Sequence, residues 1–194
     1  MLNLALFGPP GAGKGTQSKL LAEKFNLTYI STGDILRKEM GEKSPLGLQA
    51  KSIIEKGGLV SDDIMVQIIE RTIGKALNSN GILFDGFPRT VVQANILEEL
   101  LNKMSNPLTC MLSLEVPREE LMHRMLERAK IEGRSDDTPE AIKFRLIEYE
   151  NKTTPVASFY QEIGKYFPVN GVGTVAEVFE RLTNAVEHAN RFEP

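Results

Sequence analysis

Cysteine occurs once in the 194 residues, at Cys110. A single thiol excludes an internal disulfide framework and a four-cysteine zinc site. In its apolar run it reads as a small buried hydrophobe on a strand. No apolar run reaches the ~20 residues that a membrane helix needs, so no membrane partner is expected. Residues 1–7 carry neither a basic leader nor a small-residue cleavage site, the marks of a secretory signal, so a cytoplasmic protein is expected. Positive charge is not in excess either. The net charge of −3 argues against a nucleic-acid partner held by bulk electrostatics. Only two histidines are present, His123 and His188, and both read as surface residues. No histidine–carboxylate or serine–histidine arrangement offers a general base. Any chemistry here must work without one.

What is present is an alternation of short apolar runs and helical patterns. Residues 3–7 (NLALF), 27–31 (LTYIS), 81–85 (GILFD), 109–116 (TCMLSLEV) and 166–170 read as five strands. Helical spacing covers 14–25, 64–77, 91–104, 118–131 and 139–160. Strand alternating with helix predicts an α/β fold, a parallel sheet covered on both faces. Right-handed crossovers then put the ligand crevice at the carboxyl ends of the strands. Two stretches break the pattern. Residues 32–60 are too long for one crossover and hold two short helices, and 131–138 is a polar turn. Long excursions of this kind are often lids.

The run G-P-P-G-A-G-K-G-T, from Gly8 to Thr16, follows the first strand and opens the first helix. That is the context of a phosphate-binding loop. With glycine near 7% of residues, four glycines and a lysine at fixed spacing arise by chance on the order of once in a million starts. Gly11, Gly13 and Gly15 let the backbone curl so that several N–H groups face one anion. The helix opening at Lys14 adds its positive end. Lys14 supplies a cation for the terminal phosphates, and Thr16 can offer a hydroxyl to phosphate or magnesium. Gly15 stands where the common pattern has Ser or Thr, which points away from switch GTPases and motor ATPases and towards small-molecule kinases.

Further on, residues 30–37 read I-S-T-G-D-I-L-R and 84–90 read F-D-G-F-P-R-T, followed by Gln93. With G-G-L-V at 57–60, G-R-S-D-D at 133–137, and Arg124, Arg128, Arg134 and Arg145, the chain resembles the nucleoside monophosphate kinases. Among them it is closest to the short-lid form of the adenylate kinase family. The resemblance runs from Asn3 to about Leu182. It implies one P-loop kinase domain over 1–194, with a five-stranded parallel sheet in the order 2-3-1-4-5. Residues 31–60 would form a helical monophosphate-binding flap and 127–137 a short lid. The long lid with its zinc site is missing, so no structural zinc is expected.

The same resemblance implies Mg2+-dependent transfer of the terminal phosphoryl group of ATP to AMP, giving two ADP. Mg2+ would arrive with ATP, and the protein would be a monomer. The ATP site would comprise Gly11, Ala12, Gly13, Lys14, Gly15 and Thr16, with Arg128 and the Gly173 backbone beside the adenine. AMP would meet Thr32, Arg37, Gly58, Leu59, Val60, Gly86, Phe87, Pro88, Arg89 and Gln93. Arg134 and Arg145 would span the phosphates of both nucleotides. Lys14, Arg89, Arg128, Arg134 and Arg145 would carry catalysis, and Asp85 would orient magnesium or its waters. Asp136 and Asp137 could cap the following helix or help close the lid. An arginine on a polar helix face is ordinarily just solvated. Seven cations directed at one pair of nucleotides are harder to read that way.

Two other functions compete. A UMP/CMP kinase would be expected to carry Asn after F-P-R, where Thr90 stands. A nucleotide-dependent switch would carry an Asn-Lys-x-Asp element. The two Asn-Lys pairs here continue as Met104-Ser105 and Thr153-Thr154, with no Asp.

Overall fold

A computed structural model describes residues 1–56, 58–74, 80–132 and 138–191, with the side chains of Glu132 and Arg191 left aside. Five parallel strands, β1 (Leu4–Phe7), β2 (Thr28–Ser31), β3 (Ile82–Asp85), β4 (Cys110–Glu115) and β5 (Tyr166–Asn170), lie in the order β2-β3-β1-β4-β5. The alternation of strands and helices called for a parallel sheet, and the family resemblance implied this order. β1 and β3 are buried at every position and β4 at all but its last. Continuous apolar runs suit strands covered on both faces. Their alternate residues feed two separate cores. Ala5, Phe7, Phe84 and Met111 face one, and Leu4, Leu6, Leu83 and Leu112 the other. Cys110 is fully buried in β4, as expected.

Register puts the functional ends side by side. Ser31 pairs with Asp85, and Leu6 also pairs with Asp85, so β1, β2 and β3 finish at one edge. Helix α1 (Lys14–Phe25) leaves that edge directly after the glycine loop and ends at Asn26, whose left-handed backbone (φ 52°) hands two carbonyls a partner. The first excursion folds into α2 (Thr32–Gly41) and α3 (Pro45–Glu55), capped by the Ser31 and Ser44 hydroxyls. Helix α4 (Asp62–Ile73) begins two residues earlier than its apolar spacing suggested. Asp62 and Asp63 favour the positive end of a helix there. Residues 75–77, expected to continue it, lie outside the described residues. Helix α5 (Val91–Lys103) is capped by Thr90, and α6 spans Arg118–Glu132.

The long helix expected over 139–160 is three pieces. Helix α7 (Pro139–Glu148) passes into a π-helical turn (Tyr149–Thr153) and then α8 (Thr154–Glu162). Pro155 lacks an N–H, and its ring would collide with the carbonyl four residues back, so the chain widens there. The Thr154 hydroxyl donates to the Tyr149 carbonyl at 3.2 Å across the widened turn. Thr138 fills the cap position of α7, its hydroxyl accepting from the Ala141 N–H. Asp136 and Asp137, considered for that role, lie outside the described residues. A last helix, α9 (Val175–Arg191), was not anticipated. Val178, Leu182, Val186 and Ala189 bury its inner stripe at a helical spacing that the sequence carried all along.

Candidate active site

The glycine loop bridges β1 and α1 at the carboxyl edge of the sheet. Gly11 has φ +85°, and a Cβ there would lie 2.8 Å from the Leu121 carbonyl oxygen and 2.9 Å from Met125 Cγ. Gly13, at φ +90°, has no atom within 4 Å of its missing Cβ, so its inner side opens onto free space. The loop is thus clamped at Gly11 and open at Gly13, as a cradle for an anion requires. Ala12 is buried against the core beside Leu121 and Met125, so its side chain anchors the loop and leaves its backbone to face a ligand.

Lys14 crosses the mouth of this loop. Its Nζ donates to the Gly8 and Pro9 carbonyls at 2.7 and 2.9 Å. Exclusion of water is the main influence on its ammonium and lowers it to about 8. Asp85 opposes that shift, while Arg89, Arg128 and Arg145 reinforce it. Three arginines around a buried lysine form a concentrated positive field, one that an anion would relieve.

These groups line one cleft of about 980 Å³. Gly11, Gly13, Lys14, Gly15, Thr16 and Arg128 line it, as do Thr32, Arg37, Gly58, Leu59, Val60, Gly86, Pro88, Arg89, Gln93 and Arg145. Phe87 is 2% exposed and packs into the core, joined to Pro88 by a cis peptide bond. Gly173, expected beside the donor base, sits in the loop between β5 and α9 next to Glu177 and Arg181 and does not itself line the cleft. Arg124 pairs with Glu120 at 2.8 Å and donates to the Gly171 carbonyl at 3.2 Å, bracing that same loop. Arg134 lies outside the described residues. His188 is exposed, and His123, exposed too, borders the cleft mouth.

Around Thr32, Arg37 and Arg89 the cleft is wired by side chains. The Thr32 hydroxyl donates to the Gly86 carbonyl at 3.0 Å, and Arg89 Nε donates to the same oxygen at 2.8 Å. Burial, ahead of repulsion from Arg145 and Arg37, pulls the Arg89 guanidinium below its ordinary value, with Asp85 opposing. Arg37 pairs with Asp34 at 2.6 Å. Burial alone would raise the Asp34 carboxyl, but that bond and charge outweigh it and hold it low.

Several of these partners were not legible as motifs. Tyr29 donates its hydroxyl to Asp85 Oδ2 at 2.9 Å, and burial followed by the Asp85 charge pushes the phenol up. Asp62 accepts from Thr90 and Gln93. Gln17 donates to the Val175 carbonyl at 2.9 Å, tying α1 to the start of α9. Each belongs to a segment remote in sequence from its partner. Among the described residues no cluster of three or more His, Cys, Asp or Glu could cage a metal. Asp85, buried beside Gly15, is one hard oxygen donor at the phosphate loop. That matches the need of magnesium, which keeps waters and takes one or two carboxylates plus phosphate oxygens.

A parallel 2-3-1-4-5 sheet with a glycine-lysine loop at its carboxyl edge, opening on an arginine-lined cleft, defines a P-loop nucleotide kinase. Comparison with known proteins narrows this. The family model described as "Adenylate kinase" matches residues 6–165. An adenylate kinase of Xanthomonas euvesicatoria pv. vesicatoria is 48% identical over 185 residues, 95% of this chain and 99% of the relative. Those of Parabacteroides distasonis and Bacteroides fragilis are 46% and 44% identical, covering 97% and 96% of this chain and 99% of each relative. The chain belongs to the adenylate kinase family.

Proposed function

We propose that this chain is an ATP:AMP phosphotransferase, converting Mg·ATP and AMP reversibly into two ADP. The observation that carries the reading is the convergence of Lys14, Arg89, Arg128 and Arg145 on one cleft, between the glycine loop and the pocket of Thr32, Arg37 and Gln93. The donor triphosphate lies on Gly11, Ala12, Gly13, Lys14, Gly15 and Thr16, with Arg128 over it and the Gly173 backbone near its base. AMP occupies the opposite pocket, its phosphate gripped by Arg37 and Arg89 and its base facing Gln93 and the backbone of Gly58, Leu59 and Val60. Arg145, together with Arg134, reaches both phosphates.

No general base is required. An oxygen of the AMP phosphate, ionised at neutral pH with its second pKa near 6, attacks the terminal phosphorus of ATP. The bond to the bridging oxygen breaks, and the departing charge stays on ADP. Catalysis is then in-line positioning and neutralisation of spread negative charge. Arginine suits this because its planar fork holds phosphate oxygens bidentately and keeps its proton. Asp85 and Thr16 would hold the magnesium that arrives with ATP, and the ion would supply further charge neutralisation there. Residues 31–60 act as a flap and 127–137 as a lid of one kinase domain, closing to exclude water as a competing acceptor. The protein acts as a cytoplasmic monomer in purine nucleotide interconversion.

Initial rates with Mg·ATP and AMP, UMP, CMP or GMP test the reading. AMP should give the highest kcat/KM and two ADP per turnover. A preference for UMP or CMP, or ADP formation without any acceptor, would overturn it.

A further inference from the structure

Asp62 is the first residue of α4, two positions after Val60 of the flap, and its side chain reaches the start of α5. Its Oδ1 accepts from Gln93 Nε2 at 2.7 Å and from the Thr90 hydroxyl at 3.1 Å. The other end of the same amide is held as well: Gln93 Oε1 accepts from the Arg89 N–H at 2.7 Å. A carboxylate can only accept and a backbone N–H can only donate. The Gln93 amide therefore has one permitted way round. Gln93 is 2% exposed, so water offers little substitute for either bond.

Each end of the locked amide keeps one unused function, an Nε2 hydrogen and an Oε1 lone pair. Purines differ on this polarity. Adenine presents a ring-nitrogen acceptor beside an amino donor. Guanine presents, at the same two positions, a ring N–H donor beside a carbonyl acceptor. An amide free to turn over pairs with either base, whereas a fixed one pairs with only one of them in a given seat.

We propose that Asp62 is a specificity-determining positioning residue: by fixing the polarity of the Gln93 amide, it makes the acceptor pocket select adenine over guanine monophosphate. The inference rests on the proposed reading that Gln93 faces the acceptor base. Asp62 also favours the positive end of α4 and ties α4 to α5, roles that bear on stability and leave base choice untouched.

The test is steady-state kinetics with AMP and GMP as acceptors, for wild type, Asp62→Ala, Asp62→Asn, Gln93→Ala and the Asp62→Ala/Gln93→Ala double variant. Asp62→Ala should lower the AMP-over-GMP ratio of kcat/KM about tenfold, the scale of one lost hydrogen bond to a charged group. The loss should appear in the KM for AMP, with the KM for ATP within about twofold of wild type. Asp62→Asn, which retains an acceptor oxygen, should restore most of the ratio. In the Gln93→Ala background, Asp62→Ala should change nothing further, because there is no amide left to orient. If Asp62→Ala does not fold, Asp62→Ser carries the same expectation, since Ser tolerates a helix start but lacks the reach to Gln93. A ratio within about twofold of wild type in the folded Ala or Ser variant, or an equal loss in the Gln93→Ala background, overturns the proposal. Wild-type preference for UMP or CMP would instead sink the reading of the acceptor itself, before any substitution is made.

Discussion

On the proposed reading, the two halves of the cleft would hold phosphate by different means. On the donor side the work falls to the backbone: a loop clamped at Gly11, open at Gly13, and bridged by a single lysine that bonds its own carbonyls. On the acceptor side it falls to side chains drawn from four segments, with Thr32, Arg89, Gln93 and Asp62 bonded into one network. A backbone cradle recognises charge and is tolerant of what the charge is attached to. A side-chain network fixes donors and acceptors at chosen points and can discriminate. On that reading the broad class of chemistry is written in the first half and the choice of acceptor in the second.

Deleting the cations should break the comparison most visibly, since both halves need them. Lys14→Met and Arg89→Ala should each lower kcat by about 10²–10³-fold, the scale of one preorganised charge-stabilising donor, with circular dichroism unchanged. The halves should separate in KM: Lys14→Met should weaken ATP and Arg89→Ala should weaken AMP.

A smaller effect probes the loop itself. Gly11→Ala would place a methyl 2.8 Å from the Leu121 carbonyl oxygen in left-handed backbone, so stability should fall by more than the roughly 1–3 kcal/mol of backbone strain alone. Gly13→Ala meets no neighbour and should carry only the strain. Its larger effect should fall on ATP affinity, because its new methyl points into the cradle. Thermal melts with and without nucleotide separate the two.

The smallest effect is a proton. Folded Lys14 gives up its proton near pH 8, whereas the unfolded side chain keeps it to about 10.5. Between those values the unfolded chain binds more protons, so the Lys14 contribution makes the free protein more stable as pH rises through that window. A polyphosphate favours the ammonium and reverses the shift. Binding of ATP at pH 8.5 should therefore take up a fraction of a proton, read as a buffer-dependent calorimetric enthalpy that vanishes in Lys14→Met.

The same contrast governs what could be read from sequence. The donor loop is contiguous, and each of its residue types has a local reason, so Gly8 through Thr16 announced themselves. The sheet order came with the family resemblance, and the structure has it. Asp62, Tyr29 and Gln17 were opaque because their meaning depends on partners 31, 56 and 158 positions away. No local pattern marks such pairs. The break at Tyr149–Thr153 was missed for another reason: apolar spacing was followed through Pro155 as if the proline cost nothing. Helix α9 is a different case: it separates its apolar and charged faces more sharply than any other described helix, so its stripe of Val178, Leu182 and Val186 was legible in the sequence and was overlooked.

That break at Tyr149–Thr153 governs how the end of the chain is moored. Ahead of it, Ile142 and Leu146 sink into the core on one side of the sheet; behind it, Val156 and Tyr160 sink into the core on the other. One surplus residue in a helix turns everything downstream by about 100°, and that rotation lets a single rod fasten to both sides. The spacing between the two moorings is therefore quantised. Removing one residue from the wide turn would swing Tyr160 off its seat while Leu146 stayed put, so this stretch can drift in chemistry but not in length.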